Sequence, residues 1–370
     1  MNTYQLIGLI FAAVGVLTLA VMGVEATRRK TLNIDFLPLS SWLTGISRVM
    51  IGVLFIYSGF VKANDYVGFA YKLEEYFLVF GEQFPFMKGF WNFFIPLAEP
   101  LAWFISVFEI ALAVALIVGW RMNLTIWLTL LMMVFFTVLT GYSHFTGSVT
   151  DCGCFGEALK LEPWESFVKD IILTGMLIPL FLVRKSIRAV PSPKVAGWLT
   201  LASFVIAGVF SWACHENLPL IDYRPYKVGV DLAACTTVPG PEGYPKCKDW
   251  DPAFEGEEIA LFEGNTLMII TYQVQNAPAK AADKSGNLAR ELKNTSVKVV
   301  GATSSGRTQL ASFKQAHNVD YPFCFLDETV LKTIVRSHPG YMLLKDGVVV
   351  KKWHYNFAPD AAEIQSLLGI

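Results

Sequence analysis

The chain has 370 residues, 54% of them hydrophobic and 16% charged, with 30 basic against 31 acidic side chains and a net charge of -1. That balance leaves no basic footprint for nucleic acid, and so large an apolar share is foreign to a soluble globular protein. The apolar residues fall in long runs through the first 213 positions, and the remainder reads as ordinary soluble protein.

A membrane-crossing helix needs about 20 mostly apolar residues. Six stretches reach or approach that length: 4–23, 42–61, 96–118, 124–145, 165–183 and 197–213. The first has no basic start and is followed by Arg28-Arg29-Lys30, which stops transfer rather than inviting cleavage. Segment 62–95 interleaves charges with Tyr66, Phe69, Tyr71, Tyr76, Phe77 and Phe80. It reads as an amphipathic interfacial helix plus a loop, with Trp91 at the headgroup level. Lysine and arginine then set the orientation. They gather after the first span, after the third (Arg121) and after the fifth (Arg184, Lys185, Arg188, Lys194). With six spans these loops share one side, which the positive-inside rule makes cytoplasmic. Both termini then face outward, into the periplasm if the bilayer is a bacterial inner membrane.

Ionisable residues in apolar runs face a bundle interior and pair, because lipid exposure costs about 2.5–3.5 kcal/mol on insertion scales. Arg48, Glu99 and Glu109 lie within or beside such runs. They are expected to hold the bundle together, Arg48 pairing with Glu109, or to line a quinone pocket or proton path. Lys62 and Asp65, at the outer end of the second span, read as a short ion-pair network.

The loop after the fourth span carries Asp151-Cys152-Gly153-Cys154-Phe155-Gly156. Cysteines at i and i+2 in a turn can meet the roughly 4.4–6.8 Å Cα separation of a disulfide, and Gly153 and Gly156 permit the tight backbone. Three readings stand: a dithiol cycling with a labile disulfide, a fixed disulfide tying the loop, or a fragment of a metal site. The last is short of ligands, since only His144 is near and a closed zinc site takes four. No metal is therefore expected. His144 is the nearest base in sequence, while Asp151 raises a neighbouring thiol's pKa.

Cys235 and Cys247 flank a loop rich in proline and glycine. They read as a structural disulfide suited to an oxidising compartment, or as a flexible pair relaying electrons to the membrane cysteines. Cys214 ends the sixth span and can pair with Cys324 or stay reduced. Cys324, in Tyr321-Pro322-Phe323-Cys324-Phe325, has the apolar setting of an inert thiol. From about 228 the pattern alternates: strand Thr266–Val274, helix Ala281–Leu292, strand Val297–Thr303, helix Leu310–His317, and a short strand Phe323–Leu326. Met342–Leu344 and Val348–Trp353 follow as a hairpin turning at Asp346-Gly347. The order defines a small α/β domain.

Ser58-Gly59-Phe60-Val61-Lys62-Ala63-Asn64-Asp65, Glu109-Ile110-Ala111-Leu112 and Gly119-Trp120-Arg121 resemble, in order, the DoxX/MauE group of four-helix membrane proteins. Cys-Gly-Cys-Phe-Gly is MauE-like in particular, and that branch is implicated in maturing a disulfide-rich periplasmic dehydrogenase. The resemblance covers about 42–183. The C-terminal domain is similar to the thioredoxin fold. Ser337-His338-Pro339-Gly340 takes the place of the cis-proline loop, making Pro339 the cis-proline candidate, and Tyr272–Ala277 stands where Cys-x-x-Cys is usual but carries no thiol.

The expected architecture is an all-α transmembrane bundle plus a thioredoxin-like α/β domain. It divides into residues 1–41 (first span and cytoplasmic loop), 42–183 (four-helix bundle), 184–227 (sixth span and linker) and 228–370 (periplasmic domain). The expected activity is thiol redox exchange, Cys152 and Cys154 passing electrons from extracytoplasmic thiols to quinone. This layout resembles vitamin K epoxide reductases and disulfide-forming quinone reductases. The alternative is a non-enzymatic assembly factor whose domain, lacking Cys-x-x-Cys, binds a periplasmic client or envelope complex.

Overall fold

The computed structural model describes residues 41–149, 153, 155–159, 161–238, 247, 250–256 and 259–370. The expected span at 4–23, its basic loop, Asp151, Cys152 and Cys154 lie outside the described residues. The chain divides into two compact units at Trp212/Ala213.

The first unit is helical: α1 (Ser41–Asn64), α2 (Tyr66–Gln83), α3 (Lys88–Phe94), α4 (Ala98–Val118), α5 (Met122–Thr146), α6 (Pro163–Val183) and α7 (Pro193–Glu216), which runs on into the second unit. Among the described residues, five stretches are long and apolar enough to cross a membrane: Thr44–Asn64, Pro85–Val118, Met122–Thr146, Pro163–Val183 and Pro193–Glu216. Helices suit that solvent because they satisfy every backbone polar group within the segment. The protein is a multi-pass membrane protein.

Packing within this unit follows small residues. α1 lies along α4 and α5 along α6. A Cβ added at Gly52 would stand 2.4 Å from Ile117 Cγ1, and one at Gly59 2.7 Å from Ile110 Cγ1. Glycine at these two positions lets the α1 and α4 backbones approach as helices do where no water drives them together. α2 is amphipathic as expected, but its stripe Tyr66, Phe69, Leu73, Tyr76, Phe77 and Phe80 is buried in the bundle core. Its apolar face therefore packs on protein; only α3, with no buried residue, keeps the surface character expected of the whole segment. The α4–α5 turn meets the segment after α6, where the Val190 N–H donates to Val118 O at 2.9 Å. Arg121 and the Arg184–Lys194 loop thus share one end of the bundle.

The second unit carries β1 (Ala253–Phe254), β2 (Asn265–Ile270), β3 (Val297–Thr303), β4 (Phe323–Phe325), β5 (Gly340–Lys345) and β6 (Val348–His354). Its helices are α8 (Leu232–Thr237), α9 (Ala279–Leu292), α10 (Arg307–His317), α11 (Glu328–Ile334) and α12 (Ala361–Leu368). The sheet order is β1-β4-β3-β2-β5-β6. β2, β3 and β4 run parallel, while β5 and β6 are antiparallel additions. Separate apolar clusters cover its two faces. That double burial is why Leu267-Met268-Ile269-Ile270 is continuously apolar rather than alternating. The hairpin closes through Asp346 and Gly347, both at positive φ, the conformation a two-residue turn requires. His338–Pro339 is a cis peptide. Strand order, helix placement and cis-proline position together make this unit thioredoxin-like.

The second unit begins well before the 228 boundary expected above, because its connector is buried. Asp222 accepts from Arg224 Nε at 2.7 Å and pairs with Lys352 on β6, whose Nζ also donates to Ile334 O at 2.9 Å. Arg224, Tyr226 and Lys352 are all buried. Burial pushes the Asp222 carboxyl up, but the cations of Arg224 and Lys352 outweigh it and hold the group at about 2. Lys352 moves down to about 8, through burial and then the repulsion of Arg224, against the pull of Asp222.

Candidate functional site

The bundle encloses charge. Lys62 stands in the last turn of α1 and Glu109 in the middle of α4, and the close α1–α4 approach brings them to 2.8 Å, with side chains only 1% and 3% exposed. Ser58, one turn earlier on α1, accepts a second bond from Lys62 Nζ at 2.5 Å. The ammonium also lies over the Phe136 ring at 4.6 Å, so a group unwelcome in lipid has ionic, hydrogen-bonded and π partners. A second acid is buried nearby. Asp170 on α6 accepts from Thr140 Oγ1 at 3.0 Å and pairs with Lys169.

These groups share one cavity of about 20 Å³, lined by Ser58, Lys62, Glu109, Phe155, Lys169 and Asp170. Its volume exceeds the roughly 10–15 Å³ needed by one water and is far below a quinone ring. Phe155 closes one side, its ring 5.7 Å from Tyr57 and 5.3 Å from Lys169 Nζ. Gly153 is buried as well, where a Cβ would meet Lys72 Cγ at 3.2 Å. Both described neighbours of Cys154 in the chain are thus seated on the bundle.

Several expected partnerships are redrawn. Glu109 takes Lys62, not Arg48; Arg48 instead donates through Nε to Leu116 O at 2.8 Å and through Nη2 to Ile117 O, capping the carbonyl end of α4. Asp65 does not join Lys62. It caps α2, accepting from the Gly68 N–H at 3.0 Å. Glu99, in the first turn of α4, accepts from Tyr66 Oη at 3.4 Å. His144 is exposed in the last turn of α5, its ring against Phe145 and Phe167. Ser58, Thr140, Lys169 and Asp170 were missed, although Lys169-Asp170 within the apolar 165–183 run is the same signal that singled out Glu109.

In the second unit, Cys235 and Cys247 form a disulfide with Cα atoms 5.2 Å apart, both residues buried in an apolar cluster with Tyr226, Leu232 and Leu261. Cys324 sits in β4 with its thiol pushed up to about 12 by burial, and no disulfide joins it to Cys214, which is buried near the end of α7. Where a thioredoxin carries its cysteines, Gln273 Nε2 donates to Glu328 Oε2 at 2.7 Å and the Val274 N–H to Ser305 Oγ at 2.9 Å. His338 accepts from the Tyr272 N–H at 3.0 Å through Nδ1 and stacks on its ring. Burial lowers its pKa, so the ring stays neutral.

A multi-pass helical bundle with a charged core, carrying a thioredoxin-like domain without Cys-x-x-Cys, is the class these observations define. Residues 40–183, which contain α1 to α6, match the model of the methylamine utilisation protein MauE family. The chain is also similar to Protein TlpB of Flavobacterium psychrophilum, 27% identical over 172 residues, or 45% of this chain and 44% of the relative. It therefore spans less than half the length of that curated relative.

Proposed function

We propose that this chain is a membrane thiol–disulfide redox partner working through Cys152 and Cys154 at the extracytoplasmic face of a bacterial inner membrane. Thiol–disulfide exchange with a client dithiol leaves the client oxidised and the pair as a dithiol. Quinone then accepts two electrons and two protons, restoring the disulfide and yielding quinol. The observation carrying this reading is that Phe155, directly after Cys154, lines the cavity holding Lys62 and Glu109. The MauE match over the same helices supports it. So does the gathering of Arg121 and the Arg184–Lys194 loop at one bundle end, which the positive-inside rule assigns to the cytoplasm. His144, exposed in the last turn of α5, is the proposed base.

The test is thiol trapping in intact cells with a membrane-impermeant maleimide, with and without respiration blocked, read by mass spectrometry. An outward-facing pair that shifts toward reduced when quinol cannot be reoxidised upholds the proposal. A pair locked in one state, or normal client oxidation in the Cys152→Ser/Cys154→Ser variant, sinks it. The second reading is a scaffold, favoured by the amide network that fills the thiol position at Tyr272–Ala277. It expects one envelope partner to co-purify regardless of Cys152→Ser.

A further inference from the structure

A second polar feature lies apart from the charged cavity, near the end of the bundle where α5 gives way to Thr146–Val149. There Phe80 of α2 meets Trp91 of α3 at 4.9 Å and, edge-on, Tyr142 of α5 at 4.7 Å. Phe77 and Phe90 pack on the same indole. The neighbouring Tyr76 Oη and Ser143 Oγ are hydrogen-bonded to each other at 2.6 Å. Trp91 Nε1 and Tyr142 Oη, by contrast, are both buried and have no hydrogen-bond partner among the described residues.

An indole N–H is a donor only, and a phenol can donate. Leaving either buried and unbonded forfeits its bond to water with nothing in return. Two such donors packed on one phenyl ring call for acceptor oxygens on something flat. The rings packed on them are aromatic, and Phe90 and Phe93 beside them are 50% and 63% exposed on a membrane-protein surface. A ligand entering here comes from the bilayer, stacks on rings and offers carbonyl oxygens.

We propose that Trp91 and Tyr142 hold the carbonyl oxygens of a membrane quinone head group. The choice of ligand rests on the thiol-to-quinone reading; the donors and the cage do not. The Lys62–Glu109 cavity has room for a water and none for a quinone ring.

The test is saturable binding of a short-chain ubiquinone analogue to the full chain in nanodiscs, alongside naphthalene as a flat ligand without acceptors. Trp91→Phe and Tyr142→Phe keep the rings and remove one donor each. Each should weaken quinone binding about tenfold, the worth of one neutral hydrogen bond, and the double variant should lose saturable binding, with unfolding midpoints confirming the fold. Naphthalene should not bind saturably. Uptake by the wild type only in proportion to lipid, or wild-type affinity in both single variants, overturns the proposal and assigns the donors to lipid headgroups. Repeating the titration in Cys152→Ser/Cys154→Ser separates the two claims. Quinone binding there, with normal client oxidation in cells, refutes the thiol reading and leaves this site standing; client oxidation by a wild type that binds no quinone does the reverse.

Discussion

Replacing Glu109 by Gln removes the counter-charge of an ammonium with no other acid within bonding distance among the contacts described. At the observed 2.8 Å, the pair's attraction is about 6 kcal/mol at an effective dielectric constant of 20. Desolvating two ions costs several kcal/mol each, so the intact pair is close to neutral overall. Breaking it is not, because Lys62 stays buried against Ser58 and Phe136 with its desolvation uncompensated. Glu109→Leu and Lys62→Met, like Glu109→Gln, should each destabilise by about 3–5 kcal/mol, whereas the double variant Lys62→Met/Glu109→Leu should return to within about 1 kcal/mol of wild type. Denaturant unfolding of the full chain in detergent, followed by tryptophan fluorescence, measures the cycle. Single variants of wild-type stability, or a double variant as unstable as the sum of the singles, would refute the reasoning. Loss of client oxidation in a double variant of restored stability would assign the pair to function rather than to the fold.

Asp222→Asn should cost the second unit about 3–5 kcal/mol by leaving Arg224 and Lys352 without their acid, read as faster amide exchange in β5 and β6. The Asp222 carboxyl sits at about 2 when folded, below its ordinary 3.8. Its contribution of about 2 kcal/mol is therefore complete above pH 4 and lost as pH falls toward 2, so a flat exchange profile through that window contradicts the pairing. Cys324, raised to about 12 from 9.0, should alkylate at pH 8 about a thousandfold more slowly than an ordinary thiol until the unit unfolds; prompt labelling of the native protein would show the thiol reachable. Replacing Cys235 and Cys247 by Ser should lower stability by about 3 kcal/mol, the loop-closure term for their separation of 12 residues, with no change in quinone binding.

Five of the six expected spans were legible because lipid demands composition before pattern, and the α/β order was legible because Thr266–Val274 and Val297–Thr303 are short and apolar, although the first of these strands ends at Ile270. Partnerships were not. Apolar runs say that Glu109 faces inward, but choosing between Arg48 and Lys62 requires the α1–α4 register, which depends on Gly52 and Gly59. Asp65 looked like a partner for Lys62 because the two are three residues apart, yet α1 ends between them and α2, starting at Tyr66, claims the carboxylate as its cap. Asp222 and Arg224 read as linker because charge ordinarily marks solvent; here the charges satisfy each other and Lys352 inside the fold.

That last arrangement bears on how freely the two halves of the molecule can be exchanged in evolution or in the laboratory. A cut or recombination joint at 228 would strip β6 of the acid that neutralises Lys352 and the core of Tyr226. A joint between Trp212 and Ala213 would carry both away intact. The thioredoxin-like unit is therefore portable only together with its stem, and a natural relative that shares it should share the stem's acid and arginine as well.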